Sequence, residues 1–363
     1  MFKKSKLFYI YFLTIFFVCM FSIKDASMIT QVSYTEFSTA KEVVLSSATN
    51  TVAVKPQTVI LGGQVLGYTF TTNGVLVVSS NYSTRGSSLS ELKEKNLISG
   101  DIILSINNKE INSSNEITEI INEIGENGEM AEITFLRKGK KLKTHIQPSY
   151  DIFADCYKIG VWIKDQMSGV GTVTFIKQDG SYGALGHPIT DSATGEQLEV
   201  DKGKVYNCNI IGITKSQYGI PGELRGVISR KEQLGTVNKN TDYGIYGNME
   251  LSELNLLDSE IIEVGGKASI KPGKAEIFCA LDGEKVESYD IEIIKTNYQA
   301  VSNDKSLVFK VTDKDLIDKT GGIVQGMSGS PIVQDGKLVG AVTHVFVNDS
   351  TKGFGIYIDW MLK

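Results

Sequence analysis

The sequence predicts a mainly β protein, with two folded units set behind a basic and then apolar N-terminal segment. Three observations predict it. Lys3, Lys4 and Lys6 precede the uncharged run Leu7–Ile23. Residues 155–363 alternate short β-branched runs with Gly and Asn turns and show no long helical periodicity. Between these stretches a single helical repeat, Ile117, Ile120, Ile121 and Ile124, stands among strand-like segments. The length, 363 residues, suits about two domains. With 41% hydrophobic and 22% charged residues, wholesale disorder is excluded. A net charge of −5 argues against general nucleic-acid binding. The three histidines (His145, His187, His344) and four cysteines (Cys19, Cys156, Cys208, Cys279) show neither C-x-x-C nor H-E-x-x-H spacing, so no zinc ligand set is visible and no cofactor is expected. The cysteines read as ordinary thiols.

Residues 1–24 predict a membrane anchor. Seventeen uncharged residues, Leu7–Ile23, sit at the lower edge of what spans a bilayer as a helix. Lysines on the N-terminal side predict N-in topology, with the rest of the chain on the extracytoplasmic side. A cleavable signal peptide is the alternative; the Ser22-Ile23-Lys24-Asp25-Ala26 stretch is a poor cleavage site, which favours the anchor. Residues 25–54, rich in Ser, Thr, Ala and Val, read as a tether.

In residues 55–150, Thr58–Val65 and Gly74–Ser79 read as short strands and Ser88–Lys95 as the start of a short helix. Gly100-Asp101 turns into an apolar strand that ends on Asn107-Asn108, a hairpin turn. Ser114–Ile124 reads as a helix with Ser113 or Ser114 as N-cap. Met130–Arg137 and Lys141–Gln147 form a last hairpin, placing His145 on a surface strand. This order, and the stretch LISGDIILSINNKEINSSNEITEII in particular, resembles a PDZ domain. PDZ domains bind an extended peptide as an added strand and hold its carboxylate on backbone N–H groups of a Gly-containing loop. The matching loop is expected at Gly62-Gly63-Gln64-Val65-Leu66-Gly67.

The remaining unit, residues 155–363, offers strands at Thr172–Phe175, Val205–Ile213, Ala275–Ala280, Tyr289–Ile294, Ser306–Val311, Gly322–Val324, Ser330–Val333 and Leu338–Val347. Its most informative run, GGIVQGMSGSPIV, starts at Gly321 and carries the kernel G-x-S-G-S-P. A nucleophilic serine needs a tight turn that exposes Oγ and gathers backbone N–H groups where an oxyanion forms. Glycines on both sides of Ser328 permit that turn. A general base must accompany the serine, and His187, framed by Gly186 and Pro188, is the candidate.

YGALGHPITD, the stretch TGGIVQGMSGSPIVQDGKLVGAVTHVFVND and the ending GFGIYIDWML resemble the stage IV sporulation protein B peptidases. These are membrane-anchored, PDZ-containing serine peptidases of endospore-forming bacteria. The resemblance spans essentially the whole chain and implies a chymotrypsin-like double β-barrel, with His187 as base and Ser328 as nucleophile. The family's acid, fifteen residues before its serine, falls on Asp313; Asp191 and Asp315 stay open as rivals. Chymotrypsin-like geometry implies an oxyanion hole from the Gly326 and Ser328 N–H groups. Met327 replaces the aspartate that pairs with a freed N-terminus in zymogens, so no such activation is expected. Thr343 and His344 would lie on the strand that pairs with substrate, and Gly322 at the base of an uncharged S1 pocket that selects uncharged P1 residues.

The expected activity is that of a serine endopeptidase in intercompartmental signalling during endospore formation, acting between the forespore membranes. The resemblance implies cleavage of itself in the tether and of a regulatory membrane protein that restrains an intramembrane metalloprotease and so sigma-factor processing. The alternative is a PDZ-bearing binding module whose β domain is catalytically silent.

Overall fold

A computed structural model describes residues 56–80, 96–190, 195, 197–198, 200, 202–252, 260–297 and 303–363. The expected anchor (1–24), tether (25–54), helix start at Ser88–Lys95, and Asp191 lie outside the described residues. No helix among the described residues is long and apolar enough to cross a membrane.

Strands dominate. β1 (Thr58–Leu61) and β2 (Val65–Thr71) come first. There follow β3 (Val75–Ser80), β4 (Ile102–Ile106), the two-residue β5 (Lys109–Glu110), helix α1 (Ser114–Glu126), β6 (Ala131–Arg137) and β7 (Lys140–Ile146). β8 (Ser149–Asp151) and β9 (Cys156–Lys158) make a small hairpin, and β10 (Val161–Lys164) leads into β11 (Met167–Ile176). The rest comprises β12 (Ser181–Ala184), β13 (Lys202–Thr214), β14 (Glu223–Thr241), β15 (Gly244–Met249), β16 (Ile261–Val264), β17 (Gly273–Ala280), β18 (Val286–Thr296) and β19 (Leu307–Val311). Helix α2 (Lys314–Thr320), β20 (Pro331–Gln334), β21 (Lys337–Phe346), β22 (Asp349–Tyr357) and the short α3 (Ile358–Met361) complete the chain.

One fourteen-stranded sheet holds the order β12-β15-β14-β13-β2-β11-β1-β16-β21-β20-β17-β18-β19-β22. It closes twice on itself, β12 onto β11 and β22 onto β21. The result is two rings of six strands, bridged by β1 and β16. Closure removes sheet edges that would otherwise stay unpaired. Each ring has its own core: Tyr68, Val173, Tyr182, Val205 and Ile245 fill the first, and Ile277, Phe309, Ile332, Ala341 and Ile356 belong to the core of the second.

The PDZ unit is built as its sequence predicts from β4 onward. Asn107 and Asn108 take φ of 47° and 64° at the hairpin turn, the left-handed pair that such turns favour. Ser113 is the N-cap of α1, accepting from the Glu116 N–H. Ile117, Ile120, Ile121 and Ile124 pack with Val75, Val77, Ile103, Ile133 and Phe135 into a separate core. His145 is exposed on β7, 3.6 Å from Glu132.

Three expectations need correction. The PDZ unit does not begin at residue 55. β1 and β2 belong to the barrel sheet, with Tyr68 opposite both Gly169 and Val205, so the PDZ unit is an insertion between β2 and β11. The loop Gly62–Gly67 therefore is not a PDZ carboxylate site. Its backbone is spent in the barrel: Gly62 and Gly63 N–H donate to Thr174 O and Val173 O, and Gln64 O accepts from Val173 N–H. Finally, Gly322–Val324 forms no strand, because Gly322 stands at φ 126° and Ile323 N–H bonds to Ser350 O.

Candidate active site

His187 follows β12 on a turn, Leu185-Gly186, in which both residues have positive φ (69° and 70°). A Cβ on Gly186 would press on Thr343 Cγ2 and Ile356 Cγ2 at 3.0 and 3.1 Å. The turn thus brings a first-barrel residue against the second barrel. His187 Nδ1 lies 2.9 Å from Pro188 O. A carbonyl only accepts, so Nδ1 carries the proton and the neutral ring keeps its Nε2 lone pair free. Burial lowers the His187 pKa, against the raising effects of the Pro188 carbonyl and the Asp304 charge.

The serine loop precedes β20, on the facing barrel. Gly326 and Gly329 take φ of 97° and 96°. A Cβ on Gly329 would collide with Thr172 O and Leu185 N, so glycine is what lets this loop lie on the strand beside the histidine turn. Strand β11 grips the loop through Thr172, whose N–H donates to Ser328 O at 3.0 Å and whose Oγ1 donates to Gly326 O at 2.8 Å. Thr174 Oγ1 adds a bond to Gly329 O at 2.7 Å. The start of β14 holds the other side: Leu224 N–H donates to Gln325 O, and Gln325 N–H to Gly222 O. In a trans peptide C=O and N–H point opposite ways. Leu224's grip on Gln325 O therefore aims the Gly326 N–H away from β14, and Ser330 N–H on Met327 O does the same for the Ser328 N–H. Neither N–H has a partner among the described residues. Met327 is fully buried.

A cleft of about 720 Å³ runs between the units; His187, Asp304, Gln325, Gly326, Ser328 and His344 line it, with Leu76, Val78, Met167 and Leu185 as apolar walls. Ser328 Oγ donates to Thr343 O at 3.0 Å. The His187 and His344 rings stand 5.2 Å apart, tilted by 41°. Asp304 Oδ2 is 3.8 Å from His344 Nε2, and the Asp304 carbonyl accepts from Thr343 Oγ1 at 2.7 Å. Burial and the neighbouring His187 also depress the His344 pKa. β20 pairs with β21 only as far as Ala341, which leaves His344–Phe346 without a strand partner on that side among the described residues.

Asp313 is not at this cleft. It caps α2, accepting from the Leu316 N–H at 2.9 Å and the Asp290 N–H at 3.4 Å. Asp304 precedes β19 and Asp313 follows it, so a strand of five residues, about 17 Å at the usual rise, separates their places. Asp315 lies in the first turn of α2, next to Asp313. Gly322 is not among the cleft-lining residues; it packs on Ser350 and Thr351. The sequence carried no signal for Asp304, which stands in an unremarkable polar stretch. Among the described residues no cluster of His, Cys, Asp and Glu could hold a metal ion.

Two closed barrels with an inserted PDZ unit, and a glycine-framed serine lining one cleft with a histidine, are the build of a serine peptidase. A family profile, SpoIVB peptidase S55, matches residues 155–362, and a PDZ domain profile matches residues 69–147. The chain belongs to the SpoIVB S55 peptidase family and is a serine peptidase. Among solved structures it is similar to the active form of the Rv3671c protease of M. tuberculosis, at 12% identity over 54% of this chain and 73% of that one, with a TM-score of 0.33. The inactive form of that protease gives 13% identity, 53% and 82% coverage, and a TM-score of 0.30. The PDZ domain of an SdrC-like protein from Listeria monocytogenes gives 22% identity over 26% of this chain and 90% of that one, with a TM-score of 0.20. No curated protein matches.

Proposed function

We propose that the chain is an endopeptidase in which Ser328 attacks the substrate carbonyl and His187 takes the Oγ proton on Nε2. The observation that carries this is the cleft itself, which His187, Gly326 and Ser328 line together while the Gly326 and Ser328 N–H groups have no partner among the described residues. Ser328 Oγ leaves Thr343 O by rotating about χ1 and forms the acyl bond. The oxyanion accepts from the Gly326 and Ser328 N–H groups. His187 then returns its proton to the leaving amine, and water releases the acyl group by the same path. Asp304, whose charge reaches both rings, stabilises the imidazolium in place of Asp313. The apolar cleft walls suit uncharged side chains next to the scissile bond.

Family membership and the basic, apolar N-terminus support a membrane-anchored role in endospore formation, between the forespore membranes. The substrates we propose are the chain itself, within residues 25–54, and a regulatory membrane protein that restrains an intramembrane metalloprotease processing a sigma factor. The test is fluorophosphonate labelling of the full chain in detergent, with mass mapping. Label on Ser328 in the wild type, absent from Ser328→Ala and slowed in His187→Ala, is expected. Label elsewhere, or unchanged in Ser328→Ala, refutes the assignment. Mapping of any self-cleavage product tests the tether site.

A further inference from the structure

The turn that joins β13 to β14, residues 215–222, leaves the first barrel and is fastened to the second. Ser216 N–H donates to Thr320 O at 2.9 Å, Gly219 N–H to Val347 O at 3.0 Å, and Gln325 N–H to Gly222 O at 2.8 Å. Ser216 Oγ accepts from Gly222 N–H at 2.9 Å. Within the turn, Gln217 and Ile220 exchange both main-chain bonds at 2.9 Å, and Gly219 takes φ 79°. This held turn shows its apolar side chains to solvent. Tyr218 is 83% exposed and Ile220 62%, and Val347, bonded to Gly219, is 49% exposed. Single exposed apolar side chains need no explanation, but three on two loops bonded together make a patch.

The patch stands where a substrate has to pass. Val347 directly follows His344–Phe346, the stretch of β21 that lies beyond its pairing with β20. At the other root of the turn, Gly222 is bonded to Gln325, which lines the cleft with Ser328. Ser328 Oγ donates to Thr343 O, which fixes where the scissile bond meets this strand. Consider a substrate strand laid antiparallel on the edge, with the residue before the scissile bond beside Thr343. Its third to fifth residues before the bond then stand opposite Val345, Phe346 and Val347. The fifth is about 14 Å along the strand from the first, and there it meets the turn. Main-chain bonds already hold that turn, so contact costs it little freedom.

We propose that Tyr218 and Ile220, with Val347, form a subsite that selects a bulky apolar side chain three to five residues before the scissile bond. An aromatic or branched side chain there removes both its own surface and the exposed Tyr218 and Ile220 faces from water; a small or charged one does not. The subsite deepens the endopeptidase reading and rests on it, because Ser328 marks the point of attack.

The experiment uses the full chain in detergent. Casein cleavage sites are mapped by mass, and quenched peptides are built on the site cut most often. Phe, Ser or Asp is placed in turn at the third, fourth and fifth residues before the bond. At one of these positions the wild type is expected to show at least tenfold higher kcat/KM for Phe than for Ser. In Tyr218→Ser/Ile220→Ser that ratio is expected to fall below about twofold; being a ratio, it does not move with the folded fraction. Tyr218→Lys is expected to turn the preference at the same position toward Asp, a gain that a damaged fold cannot produce. A wild type indifferent at all three positions, or a double variant that keeps the ratio, overturns the proposal. Binding separates this failure from failure of the nucleophile assignment. Fluorescein-labelled Ala-Ser decapeptides carrying one Phe or one Asp near the N-terminus are titrated into Ser328→Ala and read by anisotropy. The Phe peptide is expected to bind at least fivefold more tightly, and Tyr218→Ser/Ile220→Ser in the same background to abolish the difference. That result beside a wild type that cuts nothing refutes the nucleophile alone; cleavage without the preference refutes the subsite alone.

Discussion

Asp304 and Asp313 make opposite predictions when each is substituted. Asp304 Oδ2 stands 3.8 Å from His344 Nε2, and its charge raises the pKa of His187. On the imidazolium that His187 becomes in the reaction, a unit charge about 4 Å away would be worth about 1 kcal/mol in water and about 4 kcal/mol at partial burial, an upper bound for Asp304. The Asp304 and His344 side chains are 31% and 39% exposed, so solvent screening keeps the effect near the lower figure, about 1–2 kcal/mol. Asp304→Asn should therefore lower kcat/KM by about tenfold and leave the melting temperature near that of the wild type. Asp313 instead holds two backbone N–H groups at the start of α2. Losing an Asp cap costs about 1 kcal/mol, or about 2–4 °C in Tm for a domain of this size. Asp313→Ala should show that loss of Tm with kcat/KM within about twofold. The assays are hydrolysis of an internally quenched peptide and thermal unfolding followed by circular dichroism. An Asp313→Ala protein with wild-type Tm and no activity, beside an active Asp304→Asn, would refute the assignment of Asp304.

Three further outcomes are expected. Thr172→Val leaves the Gly326 carbonyl without the hydroxyl it accepts from, a loss of about 1–3 kcal/mol; kcat should fall about tenfold or more with KM little changed, and a raised KM with unchanged kcat would show that the hydroxyl acts only in substrate binding. Burial holds His187 below histidine's ordinary 6.5, so the acid limb of kcat/KM should lie below pH 6.5. The folded state disfavours this proton, so the unfolded chain binds more protons below 6.5, and stability should fall from there through the lower folded value; an acid limb above 6.5 would contradict the burial argument. In the PDZ unit, Arg137 Nε and a terminal nitrogen each bind Asp101 at 2.7 Å, and Asp101 is 1% exposed. Arg137→Met leaves that buried carboxylate only the Ile98 N–H, at 2.7 Å, and removes its counter-charge, which should cost about 3–5 kcal/mol in urea unfolding; a change under about 1 kcal/mol would show that the backbone donor is enough.

Much of the site was legible because it depends on local backbone chemistry. Gly326, Gly329 and Gly186 all stand at positive φ, and glycine beside a serine or a histidine announces such turns in one dimension. The same holds for Asn107-Asn108 and for the cap of α1. The Asp304 assignment was not legible, since 42 carboxylates carry no local mark and only the closure of the second barrel brings this one to the cleft. The family spacing led to Asp313, a residue whose local role as a helix cap is itself a sequence pattern, Asp followed by a short helix.

The sequence by itself determined the β character, the helical face of α1 and the glycine-framed serine turn, because each follows from periodicity or from turn residues within a few positions. Tertiary structure alone decided which strands are partners. Val65 pairs across to Thr172 and Tyr68 to Val205, and alternation of side chains marks a strand without naming its neighbour. That is why β1 and β2 read as part of the PDZ unit in one dimension and belong to the barrel in three.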